Sequence, residues 1–236
     1  MALPVINVPT YEVQIPSTKE KHTFRPFLVK EEKILLLALE DGGDESIARG
    51  IKQIIHNCTF EKVDVKSLAT FDLEYVFLRI RAKSVGEVAK VQVLCEDDGE
   101  TYVEVDVNLE EVEVNFPKGH TNDIKLTDDV RVVFKYPDMV DMYKAITEEQ
   151  TTIDYSIDLI SAAVVQVLHG ETVHERADFT HEEMIAFLES LTTAQFAELQ
   201  KFFETMPKLS YEVEFINPNT KKTNKMTLEG LQSFFV

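Results

Sequence analysis

Three histidines, His169, His174 and His181, fall within 13 residues, among Glu171, Glu175, Glu182 and Glu183. Imidazoles and carboxylates at that density are the raw material of a metal centre or of general acid–base chemistry. The spacing argues against it. No pair has the i, i+4 separation that puts two ligands on one helix face, and two expected helix ends and a loop intervene. The expectation is solvated loop histidines and no metal. Cys95-Glu96-Asp97-Asp98-Gly99 occupies a tight turn where a zinc knuckle would carry two thiolates, yet it has one. Cys58 follows His56 closely, but a buried structural thiol is the commoner case. No G-x-G-x-x-G, Walker A or G-x-S-x-G pattern is present. The reading assigns no catalytic residue, no cofactor and no metal. A small metal-dependent enzyme at the three histidines is the weakest alternative kept.

The elements around these residues follow from periodicity. Alternation over Tyr11–Ile15, a turn at Pro16-Ser17-Thr18 and a short strand at His22–Arg25 suggest a hairpin. Helical spacing predicts a helix over Glu31–Leu39, a second capped by Asp44 and running to about Asn57, and a third after Thr70. The period then falls to two. Val91, Val93 and Cys95 alternate up to an Asp97-Asp98-Gly99 turn, and Val103, Val105, Val107 and Leu109 alternate on the return. Val112, Val114 and Phe116 extend the pattern into an expected antiparallel meander with one apolar and one acidic face. Pro117 to Asp123 is the best boundary, followed by strands at 124–126 and 130–136. The rest is expected to be mostly helical. Capping boxes stand at Thr147-Glu148-Glu149-Gln150, Thr180-His181-Glu182-Glu183 and Thr192-Thr193-Ala194-Gln195. A stripe of Ile153, Ile157, Ile160, Val164 and Val167 is expected to form a helix ending at Gly170. Leu209–Phe215 and Met226–Leu228 close the chain as a hairpin. The expected class is therefore α+β: N-terminal helices with an antiparallel β-meander (1–118), then a mostly helical C-terminal region ending in a β-hairpin (119–236).

The charge constrains partners. Lys and Arg number 24 against 42 Asp and Glu, a formal charge of -18 on 236 residues. Such a surface repels phosphate backbones and anionic lipid, so neither nucleic acid nor membrane is an expected partner. A basic protein surface is a better one. The start, Met-Ala-Leu-Pro-Val, has no basic segment, and no apolar run approaches the ~20 residues of a membrane span. A cytoplasm is the expected location.

Contact residues can be nominated on this basis. Proline restricts the residue before it to extended backbone, so Arg25 before Pro26, with Phe27 behind it, is either held out rigidly or paired with Glu31 or Glu32. Glu104 and Asp106 stand on the acidic strand face. The terminal Phe234 and Phe235 must be tucked back onto the C-terminal domain or used for contact. The apolar stripe at 196, 199, 202 and 203 reads more readily as core than as a partner groove.

Several of these stretches resemble the T4-type phage baseplate protein family. They are Pro9-Thr10-Tyr11-Glu12, Ile15-Pro16-Ser17-Thr18 and Phe24–Lys33 near the start. Asn57-Cys58-Thr59-Phe60, Phe71–Tyr75 and Arg81–Gly86 follow. Phe202–Pro207 and Leu228–Phe235 lie at the end. The resemblance implies a baseplate hub subunit or a hub assembly factor. It implies action by protein–protein binding and other hub proteins as partners, with self-association left open. It also implies a place in the host bacterial cytoplasm during assembly, or in the virion tail baseplate. The alternative is a transient assembly chaperone absent from the mature virion.

Overall fold

The computed structural model describes residues 6–139 and 152–234. β1 (Tyr11–Gln14) and β2 (Lys21–Phe24) form the opening hairpin, with Tyr11 opposite Phe24. Helices α1 (Val29–Asp41), α2 (Asp44–Cys58) and α3 (Thr70–Val85) follow. The N-cap of α2 is Gly43, one residue before the expected Asp44. Its Ala48, Ile51, Ile54, Ile55 and Cys58 are buried. α1 comes close at Gly50, where an added Cβ would lie 3.1 Å from the Cβ of Ala38; glycine permits that approach. In α3, Phe71, Leu73, Val76, Phe77, Leu78 and Ile80 are all buried, the mark of a helix inside a core. It ends at Gly86, at φ 144° and ψ 154°, a conformation essentially reserved for glycine.

β3 (Val88–Leu94) and β4 (Tyr102–Asn108) pair as an antiparallel hairpin, with Val91 opposite Val105 and Val93 opposite Val103. The expected meander stops there. β5 (Glu113–Asn115) joins a separate three-stranded sheet, pairing with β10 (Lys208–Ile216), which pairs with β11 (Thr223–Glu229). The guanidinium of Arg79 donates to the carbonyls of Leu109 (2.7 Å) and Val112 (2.8 Å). Arg79 thus satisfies two carbonyls in the segment that leads from β4 to β5. α3 packs against α2, β5, β10 and a short 3-10 turn at Leu231–Phe234. Residues 1–115 and 208–236 make one compact unit.

Residues 116–207 make the second. Its sheet is antiparallel in the order β6 (Asp123–Lys125), β7 (Val130–Phe134), β8 (Val164–His169), β9 (Thr172–Glu175). Helices α4 (Thr152–Ala163), α5 (His181–Glu189) and α6 (Thr193–Glu204) complete it. The helix expected through Val167 ends at Ala163. Val164-Val165-Gln166-Val167 is the strand β8, as three β-branched residues in four favour. Gly170, at φ 59°, lies in the two-residue turn from β8 to β9 instead of ending a helix. The arrangement expected from the sequence is thus overturned on two counts. The region after the boundary carries a four-stranded sheet, and the terminal hairpin completes a sheet with residues 113–115. The fold is mixed α+β with several sheets.

The core of the second unit is Val132, Phe134, Ile160, Ala163, Val164, Met184, Leu188, Leu199 and Phe202. Phe196 and Phe203 pack against it half-buried, so the aromatic stripe is core. Phe134 stacks on Phe202 with centroids 4.7 Å apart. Both expected caps form: Thr180 and Glu183 exchange hydrogen bonds across the start of α5, and Thr192 and Gln195 across that of α6. The box expected at Thr147–Gln150 lies outside the described residues. Among the described residues no helix is long and apolar enough to cross a membrane.

Candidate functional site

Arg25 follows the end of β2 with its side chain turned inward, 8% exposed. Its guanidinium donates to both carboxylate oxygens of Glu31, at 3.2 and 3.0 Å, and to the carbonyl of Pro26 at 3.0 Å. Glu31, fully buried, also accepts from the backbone N–H of Leu28 (2.9 Å) and the side chain of Asn57 (3.3 Å). Burial pushes the Glu31 carboxyl up, but the bonds from Arg25 and Leu28 outweigh it and hold it below the ordinary carboxylate range. The same pair raises the Arg25 guanidinium. Beside them burial pushes the Cys58 thiol up to about 12, so it is an unreactive thiol. Of the two roles open to Arg25, the geometry gives the pair with Glu31. This pair ties β2 to α1. Phe27 is half-buried and its N–H donates to Ser84 Oγ at 2.9 Å.

Glu104 and Asp106 are exposed on β4, as alternation requires. Lys90 stands across from Asp106 and reaches Glu104 at 2.6 Å, which raises the lysine. Glu110 pairs with Lys83, and Glu113 with Arg79 at 3.1 Å. Glu104, Glu110 and Glu113 are thus each paired with a cation of their own unit. Phe234 is buried in the 3-10 turn that touches β3, α3 and β11. Its turn thus packs on the terminal hairpin as well as on β3 and α3. Phe235 lies outside the described residues.

Cys95, Asp97 and Asp98 bring donor atoms within 4.8 Å of one another, the grouping among the described residues with the spacing of metal ligands. Its carboxylates have other work. Asp97 accepts from Asn217 (2.9 Å), Asn224 (2.9 Å) and Thr220, and Asp98 from Asn217 (2.8 Å) and Thr101 (2.6 Å). These bonds hold both carboxyls below their ordinary range. They stitch the β3–β4 turn to the β10–β11 turn. Burial raises the Cys95 thiol, which makes it a poorer ligand.

The three histidines separate. Strand register puts His174 opposite Val167, and His169 two residues further along β8, on one sheet face. Both line an open pocket of about 360 Å³ with Phe179, Glu183, Met184 and Phe187. His181 points elsewhere. Its Nδ1 lies 3.1 Å from Ser161 Oγ, and its Nε2 3.9 Å from Asp158. Serine, histidine and aspartate together suggest acyl transfer, and no sequence motif announced them. Ser161 is 1% exposed, however, so its hydroxyl is closed to a substrate carbonyl. The trio fixes the start of α5 against α4.

A family model described as T4 bacteriophage base plate protein matches residues 8–236. No curated protein and no solved structure matches the chain.

Proposed function

Because the chain belongs to the T4 bacteriophage base plate protein family, we propose that it works by binding other proteins in building the central hub of the tail baseplate. The observation that carries this reading is the extent of the match, which takes in both compact units. Three features of the molecule support it. Several of its chemically suggestive groups are occupied in holding the fold: Arg25 by Glu31, Asp97 by Asn217 and Asn224, Ser161 by His181. Its excess of 42 acidic over 24 basic residues resists association of like with like while drawing it toward basic subunits. Its locally paired acidic face leaves that attraction long-ranged and weak at any one point.

The action is that of a hub subunit or a hub assembly factor in the host cytoplasm. A transient chaperone differs only in leaving before the virion is complete. Deleting the coding sequence should yield hubless or incomplete baseplates; normal tails from the deletion would refute the reading. Mass spectrometry of purified virions then separates a retained subunit from a factor that departs.

A further inference from the structure

α1 is apolar on the wrong side for a helix at the surface of a single chain. Glu31 and Ala38 are buried and Gly50 of α2 lies against Ala38, which fixes the inward side. Yet Val29 is 80% exposed, Leu36 and Leu37 are 54% exposed and Leu39 is 53% exposed. At 100° per residue, positions 29, 36 and 39 fall within about 80° of one another, with the exposed Glu32 between 36 and 39; Val29 and Leu36 face away from Ala38, and Leu39 stands about 100° from it. Scattered apolar residues are ordinary on a surface, but a helical stripe of branched side chains marks contact.

The charge around the stripe points to its occupant. Glu40 and Asp41 end α1, and no basic residue stands in the last turn. Both carboxylates thus sit at the negative end of the helix dipole, where cations belong. Two copies would bring -18 against -18. We propose that the outward side of α1 docks an amphipathic helix of another protein, one whose apolar stripe is bordered by Lys or Arg that reach Glu40 and Asp41. This deepens the baseplate reading and rests on it for the partner's origin in the same particle.

The test uses the full-length protein and two synthetic helical peptides, with a leucine stripe bordered by lysines or by glutamates. The lysine peptide should bind, and the glutamate peptide should bind at least 10-fold more weakly. The double substitution Leu36→Glu, Leu39→Glu should weaken the lysine peptide at least 10-fold, although it adds two attractive charges. Leu37→Glu, about 160° round the helix from Leu39 and about 100° from Leu36, should weaken it less than the double substitution does. Circular dichroism of each variant should match the parent, since the side chains replaced are exposed. Equal or tighter binding by the double variant would mean charge alone, and would overturn the proposal. So would a parent that sediments as a dimer and a double variant that sediments as a monomer. In infected cells, full complementation of the deletion by the double variant would sink this surface while leaving the baseplate reading intact. Normal tails from the deletion itself would sink that reading instead.

Discussion

Replacing Glu74 by glutamine should stabilise the protein at pH 8 and change little at pH 5. Glu74 lies on α3 with its carboxyl beside Gly230, 4.0 Å from where a Cβ there would stand, and accepts a backbone hydrogen bond from Leu231. Burial raises this carboxyl from its ordinary 4.5 to about 7, and the single bond recovers only part of the lost hydration. The folded chain therefore holds a proton that the unfolded chain releases. That contribution to stability is fully present below pH 4.5, declines as pH rises, and is gone above pH 7. At about 1.4 kcal/mol per pKa unit the full swing is about 3 kcal/mol. The residue keeps some contact with solvent, which screens the effect to about 1–3 kcal/mol. Glutamine keeps an acceptor for the Leu231 N–H and never ionises. The chain has no tryptophan, so urea unfolding followed by circular dichroism at the two pH values is the assay. A gain at pH 8 that vanishes at pH 5 is the expected result. The same shift at both, or none at either, would refute the reasoning.

Arg25→Met should cost about 3–5 kcal/mol in urea unfolding, because it strands the buried Glu31 carboxylate; adding Glu31→Leu should recover much of that loss. Asn217→Ala should cost about 1–3 kcal/mol, since a buried amide that bridges Asp97 and Asp98 is removed. Gly50→Leu should force α1 off α2 and cost about 1–3 kcal/mol, with faster amide hydrogen exchange in α1.

How much could be read in advance depended on the range of each interaction. The caps at Thr180 and Thr192 are bonds over three residues, and both formed. The hairpin across Asp97-Asp98-Gly99 was legible because its turn and its alternation are adjacent. β5 was misassigned because its partner, β10, lies more than 90 residues on and leaves no local trace. Val164 and Val167 fit the helical stripe by spacing, while their β-branched neighbours favoured a strand; pairing with β7 decided it. For Arg25 the direction of the side chain depended on whether a buried acid stood within reach. Ser161 and His181 meet across two helices, so no spacing in the chain could have paired them.

The meaning of the acidity changes once these contacts are counted. Glu104, Glu110 and Glu113 are paired with Lys90, Lys83 and Arg79, and Asp97 and Asp98 are bound into a junction between turns. These carboxylates have cationic or hydrogen-bonding partners within the first unit. What the surplus charge supplies is a field, which speeds encounter with basic partners and fades with salt. A field has no register, so orientation must come from short-range contact. The exposed leucines of α1 are one place on the surface that offers it. Raising salt from 50 to 500 mM should therefore slow association with a basic partner, while the dissociation rate should respond chiefly to Leu36 and Leu39. A dissociation rate that rose with salt as steeply as association fell would place the specificity in the charges instead.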